Sequence, residues 1–132
     1  MSQEYPYWIQ KADLSSQDYS TQTIEEIARV FETHDWDSEL ALQKALEERR
    51  EDSCPPGLGV VPGDGRILHV CPNGDGTAIV HYHFEVSTRI LWMIPTTKTE
   101  IATASSVPVD SIARVFRLFA EKQHKELRGL AV

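Results

Sequence analysis

The first half of the chain places apolar residues at the spacing of amphipathic helices. One apolar stripe consists of Ile24, Ile27, Ala28 and Phe31. Thr23 lies three residues before Glu26, and at this spacing each side chain can accept a hydrogen bond from the other residue's free backbone amide. The pattern predicts a helix that begins at this capping box.

A second helix is predicted after a polar break at residues 34–37. Asp37 or Ser38 can cap its first turn, and the helix should run to about Arg50. One face of this helix combines Leu42, Ala45, Leu46 and Arg49. The Cys-Pro-Pro-Gly sequence at residues 54–57 ends it, because proline lacks an amide hydrogen and moves the preceding residue away from helical angles.

From residue 58 the period changes to that of β-strands. Runs rich in β-branched and aromatic residues are separated by glycine-rich turns at 63–65 and 72–76, which predicts consecutive antiparallel strands in a meander. Within the run 77–86, apolar and more polar positions alternate. The apolar set is Ala78, Val80, Tyr82 and Phe84, and the other set is Ile79, His81, His83 and Glu85. One face of this strand should therefore meet the core.

Three segments are less regular. Arg89 to Ile94 is almost entirely apolar, and we predict a central strand that Pro95 ends. Residues 96–106 are rich in Thr, Ser and Ala, which fits either a strand or a loop. Residues 1–20 are aromatic and polar and are predicted to form an extended arm or a short strand.

The last predicted element is an amphipathic helix that covers the sheet. Its apolar side consists of Val109, Ile112, Ala113, Phe116, Phe119 and Ala120. Pro108 lies where a missing amide costs least, and Lys122 and Lys125 lie near the negative C-terminal end. We predict one α+β domain over 1–132, with an antiparallel meander of about four to five strands, two N-terminal helices and one C-terminal helix. Its parts are a mainly helical acidic part at 1–54, the sheet at 55–106, and the C-terminal helix and tail at 107–132.

The net charge of −7 is concentrated in the first half. Residues 1–54 contain thirteen acidic residues against five Lys or Arg, whereas residues 55–132 contain seven against eight. An acidic face repels phosphate backbones and attracts basic surfaces, so we expect a basic protein partner and no direct nucleic-acid binding. The alternative is that these acids only keep a helical surface soluble.

Three absences in the sequence bear on location. The N-terminus has no basic start followed by an apolar run, and no stretch approaches the roughly 18 apolar residues of a membrane span. Cys54 and Cys71 match no metal or redox spacing, which favours two free thiols in a reducing compartment. We therefore expect a cytoplasmic protein without membrane contact.

His81-Tyr82-His83 is the most enzyme-like feature of the chain. Residues two apart on a strand project from the same face, where two imidazoles can bind a metal, and His69 on the neighbouring predicted strand can be a third ligand if the strand register aligns it. Only Glu85 shares that face, so the ligand set is incomplete. We expect exposed or interface histidines, with no metal, no cofactor and no catalytic residue. A small metal-dependent enzyme is the alternative.

Trp36 lies between Asp35 and Asp37 in the predicted turn between the two helices. An exposed tryptophan surrounded by acids is typical of a hot spot for a basic partner, whereas helix-connecting turns also bury single aromatics, so both interpretations stay open. The candidate contact residues are Asp35, Trp36, Asp37 and Glu39, with His81, His83 and Glu85 as a second patch.

Two segments of the second half carry a family resemblance. Residues 78–84, Ala-Ile-Val-His-Tyr-His-Phe, form an apolar and aromatic strand after a turn, and Ser-Val-Pro-Val-Asp at 106–110 leads to Phe-Arg-Leu-Phe-Ala-Glu-Lys-Gln at 116–123. These segments resemble the immunity proteins of bacterial polymorphic toxin systems, of the family commonly paired with deaminase-fold toxins. The resemblance implies a cytoplasmic protein that binds its cognate toxin, blocks the toxin's active site and has no catalytic residues of its own.

The sequence thus predicts an antitoxin-like inhibitor whose partner is a toxin or effector with a basic surface. An accessory or chaperone domain for a secreted effector is a further alternative. Such a domain would bind away from the active site and leave the toxin active.

Overall fold

Six antiparallel strands form one sheet in residues 4–90 and 94–129, the part of the chain that the computed structural model describes. The strands are β1 (Tyr5–Gln10), β2 (Ser16–Thr21), β3 (Gly57–Val60), β4 (Ile67–Pro72), β5 (Thr77–Ile90) and β6 (Ile94–Pro108). Their order in the sheet is β2-β1-β3-β4-β5-β6. The helices are α1 (Ile24–Thr33), α2 (Trp36–Glu48), α3 (Ile112–Ala120) and α4 (His124–Gly129), and a 3₁₀ turn at Val109–Ser111 precedes α3.

The predicted α+β class and the meander β3-β4-β5-β6 are confirmed, but the predicted count of four to five strands is too low. Residues 5–21 form the hairpin β1-β2, and β1 pairs with β3 inside the sheet. Tyr5, Tyr7 and Ile9 of β1 are buried, whereas β2 is polar and largely exposed. A polar edge strand has no apolar alternation from which it can be predicted.

The predicted strand from Arg89 to Ile94 is wrong. Arg89 and Ile90 complete β5, and β6 begins at Ile94 and contains Pro95, which pairs with Arg89. Residues 91–93 of the predicted strand lie outside the described residues. An edge strand tolerates proline because one of its sides needs no hydrogen-bond partner. The ambiguous segment 96–106 is a strand within β6.

The start of α1 is confirmed, and that of α2 differs from the prediction. The amide of Glu26 donates to Thr23 Oγ1 at 3.3 Å. In α2 the cap is Asp35, whose carboxylate accepts from the amide of Ser38, so Asp37 and Ser38 lie inside the first turn. The helix begins early because Trp36 is drawn into the core.

The core lies between one face of the sheet and the helices. Tyr82 of β5 meets Phe119 of α3 edge-on at 5.9 Å, and Phe31 of α1 meets Phe116 of α3 at 6.2 Å. The predicted covering helix is therefore confirmed, although its regular α-helical part begins only at Ile112. The predicted count of three helices omits α4, which follows α3 directly.

Arg66 is the buried charged side chain among the described residues, 5% exposed. Its guanidinium donates to the carbonyl of Phe119, forms an ion pair with Asp64 at 2.8 Å and lies over the Phe119 ring. These contacts fix the C-terminal end of α3 to the loop before β4, since a cation is favoured at that end of a helix.

Candidate functional site

A surface groove lies where the α1–α2 turn adjoins the turn between β4 and β5. Its volume is about 310 Å³. Its apolar lining includes Phe31, Trp36, Leu40, Pro72 and Val109, and its acidic lining consists of Glu32, Asp35 and Asp37. All three acidic residues are exposed, and the described lining residues include no Lys or Arg. We call this feature the acidic groove.

Trp36 is a core residue that lines the groove. It is 9% exposed, and its indole N–H donates to the carbonyl of Phe31 at 2.8 Å. The indole ring lies 5.4 Å from the ring of Phe31 and 4.3 Å from that of His34. Trp36 was predicted to be either a core residue or a binding hot spot. Its burial supports the core residue, because a side chain this enclosed presents little surface to a partner.

The three candidate carboxylates of the turn differ in their surroundings. Asp35 accepts hydrogen bonds from the amide and the hydroxyl of Ser38 at 3.1 and 2.6 Å, and these bonds lower the pKa of its carboxyl group. Asp37 is exposed, and no hydrogen bond or ion pair within the described residues involves its carboxylate. Glu39 is half-buried with its carboxylate 3.5 Å from His34 Nε2, and it does not line the groove.

Glu32 completes the acidic groove and was not a candidate from the sequence. It lies in the last turn of α1 and is exposed. Its position beside Asp35 and Asp37 depends on the tight α1–α2 turn. The sequence signal was available, since an acid on the polar face of α1 directly precedes the acidic turn.

The second predicted patch lies on the sheet face opposite α1 and α3. Tyr82 and Phe84 of β5 face the core, so the alternating residues His81, His83 and Glu85 face the other way. We call this the open face. The acidic groove and the open face are separate surfaces, and the two predicted patches do not combine into one site.

A row of residues crosses the open face at a single register. Trp8 pairs with Gly59, Gly59 with His69, His69 with His81, and His81 with Thr103. The ring of His69 lies 5.7 Å from that of Trp8 and 6.0 Å from that of His81. The indole covers Gly59 so closely that an added Cβ would be 2.0 Å from a ring carbon.

The neighbouring histidines do not complete a metal site in the described part of the chain. The strand register brings His69 beside His81, which the sequence left open. Burial lowers the pKa of His69, with further contributions from His81 and His83, and burial followed by repulsion from His83 lowers that of His81. Within residues 4–90 and 94–129, however, no group of three or more His, Cys, Asp or Glu side chains is arranged to hold a metal ion.

Cys71 adjoins this row and has the properties of an unreactive thiol. Its Sγ lies 3.5 Å from His69 Nε2, and burial raises its pKa to about 11. The thiol is therefore protonated at neutral pH, whereas a nucleophilic cysteine requires the thiolate. Cys54 is also a free cysteine.

Two further observations concern membrane-spanning helices and similarity to known proteins. No helix in the described ranges is both long and apolar enough to cross a membrane. Neither a comparison with protein-family models nor searches of curated proteins and solved structures find a match to this chain.

Proposed function

We propose that the protein is an immunity-type inhibitor that acts in the cytoplasm. In this proposal it binds a toxin or effector through that partner's basic surface, covers the partner's active site and performs no catalysis itself. The observation that carries the proposal is the acidic groove, in which Glu32, Asp35 and Asp37 surround an apolar lining. The sequence resemblance to immunity proteins of polymorphic toxin systems supports the same role.

The carboxylates of the groove act mainly on the rate of association. An exposed ion pair contributes only about 0.2–1 kcal/mol, whereas complementary surface potentials accelerate encounter. The negative C-terminal end of α1 and the positive N-terminal end of α2 meet at Thr33 and Trp36, so the two helix dipoles offset one another there. The side-chain carboxylates consequently set the sign of the local potential.

The test uses the product of the gene adjacent to the one that encodes this chain, where the gene for a cognate toxin is expected. Association of the two purified proteins is measured at low and high salt. The double variant Glu32→Gln and Asp37→Asn should associate roughly fivefold to tenfold more slowly at low salt, with a weaker salt dependence. The matched control is Glu47→Gln with Glu48→Gln, which removes two exposed charges at the far end of α2.

Each outcome bears on a different part of the proposal. Unchanged association of the Glu32 and Asp37 variant removes the acidic groove from the interface. A tight complex in which the toxin stays active indicates the accessory or chaperone role, because such a domain leaves the active site open. A neighbouring toxin that neither binds nor is inhibited contradicts the inhibitor role.

A further inference from the structure

We infer that the acidic groove binds one arginine side chain of the basic partner. The inference rests on the proposed function and names the chemical group that the groove takes. Ligand pockets typically measure roughly 300–1,000 Å³, and the groove, at about 310 Å³, lies at the lower end. It suits a single long side chain better than a folded segment.

Two carboxylates of the groove are available to a cation. Glu32 and Asp37 are exposed, and no hydrogen bond or ion pair involves either side chain within the described residues. Asp35, by contrast, is engaged with Ser38 through two hydrogen bonds. A cation in the groove would therefore meet one free carboxylate from α1 and another from α2.

The apolar lining selects arginine over lysine. The side chain of His34, 25% exposed, lines the groove and offers it an aromatic ring, which lies 4.3 Å from the largely buried indole of Trp36. A guanidinium is planar, weakly hydrated and able to stack on aromatic rings, whereas an ammonium is compact and strongly hydrated. The five N–H donors of arginine can also bond two carboxylates at once.

The experiment measures the binding of small probes by NMR. N-acetyl-arginine amide, its lysine analogue and its neutral citrulline analogue are titrated into the full chain, and the signals of the Trp36 indole N–H and the Asp37 amide are followed. The arginine probe should shift both signals and reach half-saturation at a roughly fivefold lower concentration than the lysine probe. The citrulline probe should leave them in place.

Two variants test whether the carboxylates hold the probe. Glu32→Gln with Asp37→Asn should weaken arginine binding roughly tenfold, since both charge-assisted hydrogen bonds are lost. The control Glu47→Gln with Glu48→Gln should bind the probe as the unchanged protein does. Equal shifts with citrulline, or unchanged binding by the Glu32 and Asp37 variant, would overturn the inference.

The probe experiment needs no partner, so its result is separate from that of the inhibitor test. Partner binding that depends on Glu32 and Asp37, without arginine selectivity in the groove, rejects this inference alone. Arginine selectivity of the groove together with an unbound toxin rejects the proposed function alone.

Discussion

The acidic groove and the open face bring residues together in different ways. Four of the groove residues, Glu32, Asp35, Trp36 and Asp37, lie within six positions of one another, and their arrangement follows from a helix end, a cap and a helix start. The row across the open face joins residues from five strands. Local backbone structure therefore positions the acidic residues of the groove, whereas sheet register positions the row across the open face.

The largest expected effect concerns Gly59 on the open face. An added Cβ would lie 2.0–2.3 Å from three ring carbons of Trp8, so Gly59→Ala must displace the indole. We expect the free energy of unfolding, measured in urea, to fall by about 2–3 kcal/mol. Gly129→Ala is the control, because a Cβ there meets no atom within 4 Å.

A double-variant cycle separates this contact from other effects of alanine at Gly59. In a Trp8→Ala background the clash is absent, so Gly59→Ala should cost far less than it does in the unchanged chain. Equal costs in the two backgrounds would show that the indole does not occupy this place.

The contrast between the two surfaces also explains what the sequence could predict. The helix start at Thr23, the alternation of β5 and the apolar side of α3 are local patterns, and the structure contains all three, although of the predicted capping box it shows only the bond from the Glu26 amide to Thr23. The placement of β1 beside β3 depends on pairing between residues about 50 positions apart, which no local period encodes. The contact of Trp8 with Gly59 could not be predicted for the same reason.

The acidic turn at residues 35–39 shows how far sequence patterns can predict the roles of single side chains. Composition identified Asp35, Asp37 and Glu39 as one patch, yet Asp35 caps α2, Asp37 is free and Glu39 adjoins His34. Whether an acid caps the helix or stays exposed to a partner depends on where the helix begins, and the predicted cap, Asp37 or Ser38, lies two or three residues after the observed cap, Asp35. An error of this size in the start of a helix changes which carboxylate is assigned to the cap and which is assigned to the exposed surface.

A smaller effect on stability is expected at the cap of α2. Asp35→Ala removes both acceptors of Ser38 and should lower the urea midpoint, though by less than Gly59→Ala does. Asp35→Asn should retain most of the stability, because its amide oxygen can still accept the bond from the Ser38 amide. If Asp35→Ala and Asp35→Asn were equally destabilised, the hydrogen bonds to Ser38 would not explain the cap.

The pH dependence of this cap follows from the lowered pKa of Asp35. A carboxyl group with a lowered pKa in the folded state stabilises the protein above its unfolded pKa, and that contribution is lost as the pH falls through the folded value. The difference between the unchanged chain and Asp35→Ala should thus persist at pH 7 and shrink below about pH 4. A difference that stays constant down to pH 2 would contradict this assignment.

The smallest expected effect is the response of the open face to mild acid. The pKa of His69 is lowered in the folded state, chiefly by burial, so the unfolded chain binds a proton at a higher pH than the folded one does. Stability is then retained above the unfolded pKa of about 6.5 and falls as the pH drops below it, with a slope of at most about 1.4 kcal/mol per pH unit for one group.

Replacing His69 with glutamine should flatten the stability profile between pH 7.5 and 5.5. His81 should maintain part of the slope, since burial and His83 lower its pKa in the same direction. Urea unfolding at several pH values measures both profiles, and an unchanged slope in His69→Gln would show that this imidazole is not the titrating group. The Asp35→Ala variant is the comparison, because it should lower the free energy of unfolding by a similar amount at pH 7.5 and at pH 5.5. The hydrogen-bonded carboxylate of Asp35 and the half-buried imidazoles of the open face must therefore respond to acid in separate pH ranges.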